Sequence, residues 1–212
     1  MDFQLKTLGV AQAATEKADA LVVLVPAAGL EGTDPIAALA AAALKSGDIG
    51  EKPGKQLVAY RPEGVAAVRV VLASSGQGDA AAVRSAVLTA LQALKGAAPK
   101  RVAIVFAGAA DAAGVSAAVC AVADATYVYT TTKSKPEPRT LRQCVIGVDK
   151  PPQLKSAFDT AVAGVHGVEF AKEWGNRPGN HCTPTQLADA ARTLARFPRL
   201  KCEVLGPKEV AA

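Results

Sequence analysis

The sequence predicts an α/β fold in which a mixed, largely parallel sheet is flanked by helices. Leu21–Val25 is a continuous apolar run, and Arg101–Ala107 is apolar after its first residue; both are typical of strands that are buried on both faces. Helical patterns alternate with strand patterns along the chain, and this order is typical of parallel sheets. Half of the residues are hydrophobic but only 4% are aromatic, so we expect a core of small, closely packed side chains.

The first half of the chain contains the clearest turn and cap signals. Leu21–Val25 is the first predicted strand, and it stops at a proline. The pair Asp34-Pro35 has the residue types of an N-cap and a first helical position, so a helix is predicted from there to about Gly47. Leu57–Tyr60 and Val65–Ala73 are then predicted to form a hairpin around a turn that contains proline and glycine.

The second half continues the alternation. Asp79 is the predicted N-cap of a helix that ends at Gly96. The turn before it, Ser74–Asp79, contains two glycines but lacks the third glycine of a dinucleotide-binding loop, so a plain tight turn is favoured over a phosphate site. The remaining predicted elements up to residue 148 are a strand over Arg101–Ala107, a helix over Ala112–Ala125, and two β-rich runs over Tyr127–Thr132 and Leu141–Val148.

A long helix and a short strand are predicted near the end of the sequence. The helix begins at Pro151 and continues through Phe170. Gly164 and Gly167 lie inside it, which suggests that another element packs closely against these two positions. Lys201–Leu205 is predicted to be a short strand.

A proline-rich loop leads from the long helix into a well-capped second helix. Pro178 and Pro184 fix their own backbone and favour extended conformations in the preceding residues. Thr183 suits an N-cap, Pro184 the first helical position, and Gln186 the third position of a capping box. The segment therefore predicts a rigid loop that ends at a helix start.

This segment resembles the leucine aminopeptidase (cytosol aminopeptidase) family. In that family an Asn-x-Pro-x-Asn-x-x-x-Pro sequence marks the passage from the N-terminal domain into the catalytic domain, and Asn176, Pro178, Asn180 and Pro184 match it position by position. A weaker likeness is the run Lys133 to Lys135, which is similar to a Lys-Ser-Lys segment of these enzymes.

The resemblance implies a domain organisation. We expect an N-terminal α/β domain over residues 1–150, similar to the macrodomain, then an interdomain helix over 151–175 and the beginning of the catalytic domain over 176–212. Family members release N-terminal residues from peptides, often leucine, with two divalent metals (manganese or zinc). They assemble as hexamers, and the N-terminal domain mainly positions and bridges subunits. A cytoplasmic location is the simplest expectation.

The metal ligands of the family all lie downstream of the Asn-Pro sequence. We therefore expect a truncated member with no catalytic and no metal-ligating residue of its own, inactive alone and serving assembly. The sequence offers little metal chemistry otherwise, because its two histidines, His166 and His181, form no recognised ligand spacing with the cysteines. The four cysteines are scattered without a Cys-x-x-Cys pair, and reduced thiols are expected. The first twenty residues do not have the pattern of a signal peptide, and no apolar run is long enough to span a membrane.

The net charge of +5 is unevenly distributed and leaves a second function class open. The first 99 residues carry equal numbers of acidic and basic side chains, so the whole surplus lies in the rest of the chain. Its densest part is a basic cluster that could contact DNA phosphates, and some bacterial members of the family also bind DNA. A solvated loop is the favoured interpretation, and a nucleotide such as ADP-ribose is a further alternative ligand for the α/β domain. The cluster consists of Lys133, Lys135, Arg139 and Arg142.

Overall fold

The computed structural model describes residues 1–50 and 52–210 of the chain. These residues form two compact units. The larger unit contains Met1–Val128 and Arg139–Gly167, and the smaller one contains Tyr129–Pro138 and the chain from Val168 onward. The predicted boundaries at residues 150 and 175 stay predictions.

The larger unit is built on a six-stranded sheet in the order β1-β6-β5-β2-β4-β3. All neighbouring strands are parallel except β3, which lies antiparallel to β4 at one edge. This mixed, mostly parallel α/β arrangement confirms the predicted fold class. The strands are β1 (Asp2–Thr7), β2 (Ala20–Val25), β3 (Gln56–Tyr60), β4 (Arg69–Ser74), β5 (Arg101–Phe106) and β6 (Gln143–Val148).

Helices cover both faces of the sheet. One face carries two long Ala-rich helices and the first part of the longest helix, and the other face carries two helices from the first half of the chain. The four central strands are apolar on both faces, which is why their sequences read as continuous hydrophobic runs. The helices are α1 (Val10–Ala13), α2 (Pro35–Ser46), α3 (Ala80–Leu94), α4 (Ala112–Thr126), α5 (Pro151–Gly175), α6 (Pro184–Leu194) and α7 (Pro207–Val210).

The predicted helix starts are confirmed by their caps. The Asp34 carboxylate accepts hydrogen bonds from two backbone amides of α2, and Gly47 ends that helix in the left-handed conformation at φ 80°. Asp79 caps α3 in the same way. Local signals of this kind fix helix ends without reference to the rest of the fold.

Several predicted elements differ from the structure. The prediction of a strand over Tyr127–Thr132 is wrong, because Tyr127 ends α4 by donating its N–H to the Ala123 carbonyl and the chain then turns. Lys201–Leu205 is also not a strand in the part of the chain described. The second strand of the hairpin begins at Arg69 rather than at Val65, although its antiparallel pairing is confirmed.

Two secondary-structure elements and one packing contact differ from what the sequence predicts. The strand β1 and the short helix α1 were not predicted at all. The inference that an element packs closely against Gly164 and Gly167 is wrong, since a Cβ added at either position would meet no described atom within 4 Å. The close approach lies instead at Gly147 in β6, where a Cβ would come within 2.9 Å of the Leu8 carbonyl oxygen.

Candidate functional site

The carboxyl ends of the parallel strands form the place where open α/β sheets usually bind ligands. Three helices begin there, and each is capped by its own aspartate: Asp34 on α2, Asp79 on α3 and Asp111 on α4. Asp34 and Asp79 each accept hydrogen bonds from two backbone amides of their helix at 3.0 Å, and Asp111 accepts one from its helix at 2.6 Å. These amides are the groups that would otherwise receive a phosphate. The carboxyl edge of the sheet therefore carries three carboxylates, and these carboxylates already have backbone amides as hydrogen-bond partners.

The four residues of the predicted basic cluster do not share one environment. Lys133 and Lys135 are exposed and belong to the smaller unit, whereas Arg139 and Arg142 belong to the larger unit. Arg139 is half-buried and its Nε donates to the Thr126 carbonyl at 2.8 Å, so it satisfies the C-terminal end of α4. Arg142 is exposed and directly precedes β6.

The Asn-Pro sequence forms the connection between α5 and α6. Asn176 closes the end of α5, because its side-chain amide donates to the Lys172 carbonyl at 2.7 Å. Pro178 precedes a short 3-10 helix, Gly179–His181, in which the exposed Asn180 lies. Pro184 is the first residue of α6. Asn176 and Pro184 are thus explained by the local backbone.

The predicted capping box at the start of α6 is present. The Thr183 hydroxyl accepts from the Gln186 N–H, and the Gln186 side chain accepts in return from the Thr183 N–H at 2.9 Å. The N–H groups of Thr183 and Gln186, which have no partner within the helix at its N-terminus, are therefore both hydrogen-bonded.

A polar cluster beside the Asn-Pro sequence was not predicted. Arg177 packs over the ring of Trp174 at 3.9 Å from the centroid and forms an ion pair with Glu173 at 3.1 Å. Glu173 also accepts a hydrogen bond from the Thr131 hydroxyl, so the cluster joins the end of α5 to the loop Tyr129–Pro138 within the smaller unit. The spacing of Glu173 and Arg177, one helical turn apart, could have indicated the ion pair but not the contact with Thr131.

A second unpredicted cluster surrounds Glu16 in the larger unit. Its side chain is 6% exposed and accepts hydrogen bonds from Lys6 and from Arg101, the latter at 2.7 Å. Burial alone would raise the pKa of Glu16, but the hydrogen bonds and positive charges of Lys6 and Arg101 outweigh it and hold the pKa below its ordinary value. The carboxylate is therefore charged at neutral pH. These partners lie far apart in sequence, so no local pattern reveals them.

The described residues do not fit a two-metal site. Among residues 1–50 and 52–210, no three histidine, cysteine, aspartate or glutamate side chains converge so that they could hold an ion. A two-metal centre needs several carboxylates around both ions. All four cysteines are free, and burial raises the pKa of the Cys144 thiol far above its usual range, so this thiol stays protonated. In the same part of the chain, no helix combines the length and apolar character required to cross a bilayer.

Comparison with known proteins identifies the family. A sequence model of the N-terminal domain of the cytosol aminopeptidase family matches residues 9–136, which is more than half of the chain. The chain belongs to the cytosol aminopeptidase family. This confirms the resemblance that the Asn-Pro sequence indicated, and the match itself lies upstream of that sequence.

Curated relatives of this family align with nearly the whole chain. A probable cytosol aminopeptidase of Variovorax paradoxus is 56% identical over 214 residues, and one of Albidiferax ferrireducens is 50% identical over 210 residues. Each alignment covers 99% of this chain, but only 42% and 44% of the two relatives. The chain therefore spans less than half the length of the relatives that it matches.

Solved structures show the same fold. A mutant of tomato leucine aminopeptidase superposes with a TM-score of 0.72 at 20% identity, covering 92% of this chain and 42% of that one. The bottromycin maturation enzyme BotP superposes with a TM-score of 0.69, also at 20% identity, with 92% and 40% covered. At this identity the likeness concerns the fold alone.

Proposed function

We propose that this chain is the N-terminal part of a leucyl aminopeptidase and that it supports assembly rather than catalysis. The observation that carries the proposal is the extent of the match, since 99% of the chain corresponds to only 42% of the Variovorax relative. The whole protein would release N-terminal amino acids from peptides in the cytoplasm with two divalent metals, manganese or zinc. The residues that hold those metals would lie in the part of the relatives that has no counterpart here.

The side chains of the described residues support this division of labour. A two-metal hydrolase clamps the attacking water between ions that share carboxylate oxygens. In the described part of the chain the buried carboxylate of Glu16 is instead bound by two cations, and the aspartates at the carboxyl edge are bound by backbone amides. We therefore assign no catalytic step to these residues.

Peptidase assays on two proteins test the catalytic half of the proposal. The purified 212-residue chain is incubated with leucine p-nitroanilide and manganese or zinc, beside the full-length Variovorax relative under the same conditions. We expect turnover by the relative and none by this chain. Turnover by the 212-residue chain that a chelator abolishes would show that this chain does hold a working centre.

A separate measurement tests the assembly half. A tagged copy of this chain is co-expressed with the full-length relative, and the mass of the purified complex is determined by sedimentation. We expect the chain to be incorporated into a hexamer, as the family resemblance implies. A chain that stays monomeric and does not co-purify would contradict an assembly role, even if the peptidase result is as expected.

Nucleotide binding by the α/β domain stays a prediction. The aspartates at the carboxyl edge of the sheet disfavour it. The helix amides that would hold the phosphates are occupied by Asp34, Asp79 and Asp111. Titration with ADP-ribose should therefore give no saturable heat. A saturable signal from the unchanged chain would reverse this conclusion.

A further inference from the structure

The strand β3 forms one edge of the sheet, and its only neighbour in the sheet is β4. The Arg61 N–H donates to the Val68 carbonyl and the Ser74 N–H donates to the Lys55 carbonyl, both at 2.8 Å. Alternate residues of an antiparallel strand bond to the same neighbour, so Lys55, Arg61 and every second residue between them face β4. The residues whose N–H and C=O groups point to the open edge are Gln56, Val58 and Tyr60. In the described part of the chain, no backbone group outside the sheet bonds to these three residues.

One face of β3 exposes apolar side chains beside these backbone groups. Side chains alternate between the two faces of a strand, and Leu57 and Ala59 pack against the core on one of them. Val58 and Tyr60 project from the other face, where their side chains are 45% and 63% exposed. A strand added at this edge would therefore cover both side chains while it pairs with the backbone.

The strand β3 lacks the residues that usually protect the edge of a sheet. Natural edge strands carry charged side chains or proline, which discourage pairing with another chain. The five residues Gln56–Tyr60 include neither. The opposite edge strand, β1, differs because it contains Asp2 and Lys6. Of the two edges, β3 is thus the one suited to accept a further strand.

The ends of β3 are basic. Residues 52–69 contain four basic side chains and one acidic side chain, Glu63, which lies in the turn after the strand. Lys55 and Arg61 flank the strand, are exposed, and form no ion pair with a described residue. The guanidinium groups of Arg61 and Arg69 each lie 5.4 Å from the centre of the Tyr60 ring, so two cations lie beside this end of the strand.

These charges discriminate between two occupants of the edge. A second copy of β3, paired antiparallel about Val58, would place Lys55 of each copy opposite Arg61 of the other. Like charges directly opposite each other destabilise a strand pair. A peptide with an acidic residue at each end would instead meet a cation at each end of β3.

We propose that β3 binds an extended peptide segment with acidic ends by strand addition. The central residue of the peptide lies opposite Val58, and the third residue on either side lies opposite Lys55 or Arg61. Each of the three outward-facing residues of β3 can exchange two backbone hydrogen bonds with the residue opposite. The backbone bonds supply affinity, whereas the exposed apolar side chains and the flanking cations select the sequence.

A synthetic peptide tests the proposal on the 212-residue chain. The probe is the labelled peptide Glu-Val-Thr-Val-Thr-Val-Glu, and its binding is measured by fluorescence anisotropy. We expect saturable binding that weakens as the salt concentration rises. The peptide with lysine in place of both glutamates should bind about tenfold more weakly, because attraction at both ends becomes repulsion. No saturable binding of the glutamate peptide, or equal binding of the two peptides, would overturn the proposal.

Backbone methylation of the peptide tests the pairing without altering the protein. In the proposed register the N–H groups of the valines point toward β3, whereas those of the threonines point away from it. N-methylation of the first and third valines should therefore abolish binding, and N-methylation of the two threonines should leave it nearly unchanged. Equal effects of the two modifications would show that the peptide does not bind as a strand.

Substitutions at the centre of β3 test the same pairing from the side of the protein. Val58→Pro removes an N–H that faces the open edge and keeps the bonds to β4, an arrangement that edge strands tolerate. It should weaken binding about tenfold or more. Val58→Thr keeps the N–H and a similar shape and should bind like the unchanged chain. Equal binding by both variants would contradict the proposal, and circular dichroism checks that each is folded.

A charge control separates the ends of β3 from the net charge of the chain. K55Q/R61Q should weaken binding by about 2- to 30-fold, as expected for the loss of two cross-strand charge pairs. K133Q/K135Q removes the same charge from exposed positions in the smaller unit and should leave binding unchanged. Equal losses in the two variants would reduce the effect to net charge and overturn the assignment.

Sedimentation of the chain alone tests the other occupant. Because Lys55 and Arg61 would face each other across a pair of β3 strands, we expect no self-association that depends on this edge. A dimer that the unchanged chain forms and that Val58→Pro abolishes would show a second copy at β3, and it would overturn the assignment to an acidic peptide. None of these outcomes depends on whether the peptidase assignment holds.

Discussion

Replacing Glu16 with glutamine provides a direct test of how the electrostatics of the larger unit are organised. The Glu16 side chain is 6% exposed, whereas its partners Lys6 and Arg101 are 48% and 36% exposed. The substitution keeps the shape of the side chain and an acceptor oxygen but removes the charge. Both cations can then turn toward water, so the variant does not leave a buried unpaired charge.

The expected loss of unfolding free energy in E16Q lies between the values for breaking buried and exposed ion pairs. Breaking a fully buried pair costs about 3–5 kcal/mol, and an exposed pair contributes about 0–1 kcal/mol. Because only Glu16 is buried, we expect E16Q to lower the free energy of unfolding by about 2 kcal/mol, which corresponds to a melting temperature lower by about 4–8 °C for a chain of this size. Asp159→Asn is the control, since its ion pair with Lys155 is more than half exposed on both sides and should be worth less than about 0.5 kcal/mol.

The pKa shift of Glu16 determines how its contribution to the free energy of unfolding changes with pH. The pKa of Glu16 is lower in the folded chain than in the unfolded one, so its stabilising contribution is complete above the unfolded value of about 4.3. That contribution is lost as the pH falls through the lower, folded pKa. Urea unfolding followed by circular dichroism should therefore show a clear difference between E16Q and the unchanged chain at pH 7 and a smaller difference at acidic pH. A difference that is the same at both pH values would refute the electrostatic explanation.

Four further substitutions test packing, helix propensity, capping and the smaller unit. Gly147→Ala should destabilise the chain by about 1–3 kcal/mol in urea unfolding, because its Cβ would lie 2.9 Å from the Leu8 carbonyl oxygen. Gly164→Ala should instead stabilise it by about 1 kcal/mol, because alanine has the higher helix propensity and its Cβ at this position would meet no described atom within 4 Å. Equal effects of the two substitutions would contradict this reasoning. Asp79→Ala should cost about 1 kcal/mol through the lost cap of α3, and an unchanged urea midpoint would contradict that. Arg177→Ala should uncover the single tryptophan, so its emission should move to longer wavelength and acrylamide should quench it more strongly; an unchanged spectrum would argue against the stacking.

The parts of the fold that the sequence predicts are those that depend on neighbouring residues. Asp34 and Asp79 cap the helices that follow them, and Thr183 with Gln186 forms the expected capping box. The central strands are equally predictable, because burial on both faces makes them apolar throughout. The same logic explains the Asn-Pro match, since Asn176 and Pro184 act on the backbone beside them.

The elements that were missed or wrongly predicted depend on distant residues. The edge strand β1 alternates between exposed and half-buried side chains, so it lacks the apolar run that marks a central strand. Lys201–Leu205 has a strand-like pattern, but a strand also needs a neighbour to pair with, and the described residues supply none. The cluster around Glu16 joins residues 85 positions apart, a separation that no local pattern bridges.

The positive charge illustrates how far sequence proximity can differ from proximity in space. Lys133, Lys135, Arg139 and Arg142 are close in sequence, but two of them lie in each unit and Arg139 is bound to helix carbonyls. A parallel sheet instead brings together the residues that precede its strands, however far apart they are in the chain. Lys100 and Arg142 are neighbours for this reason, since the Arg142 N–H donates to the Lys100 carbonyl at 2.8 Å.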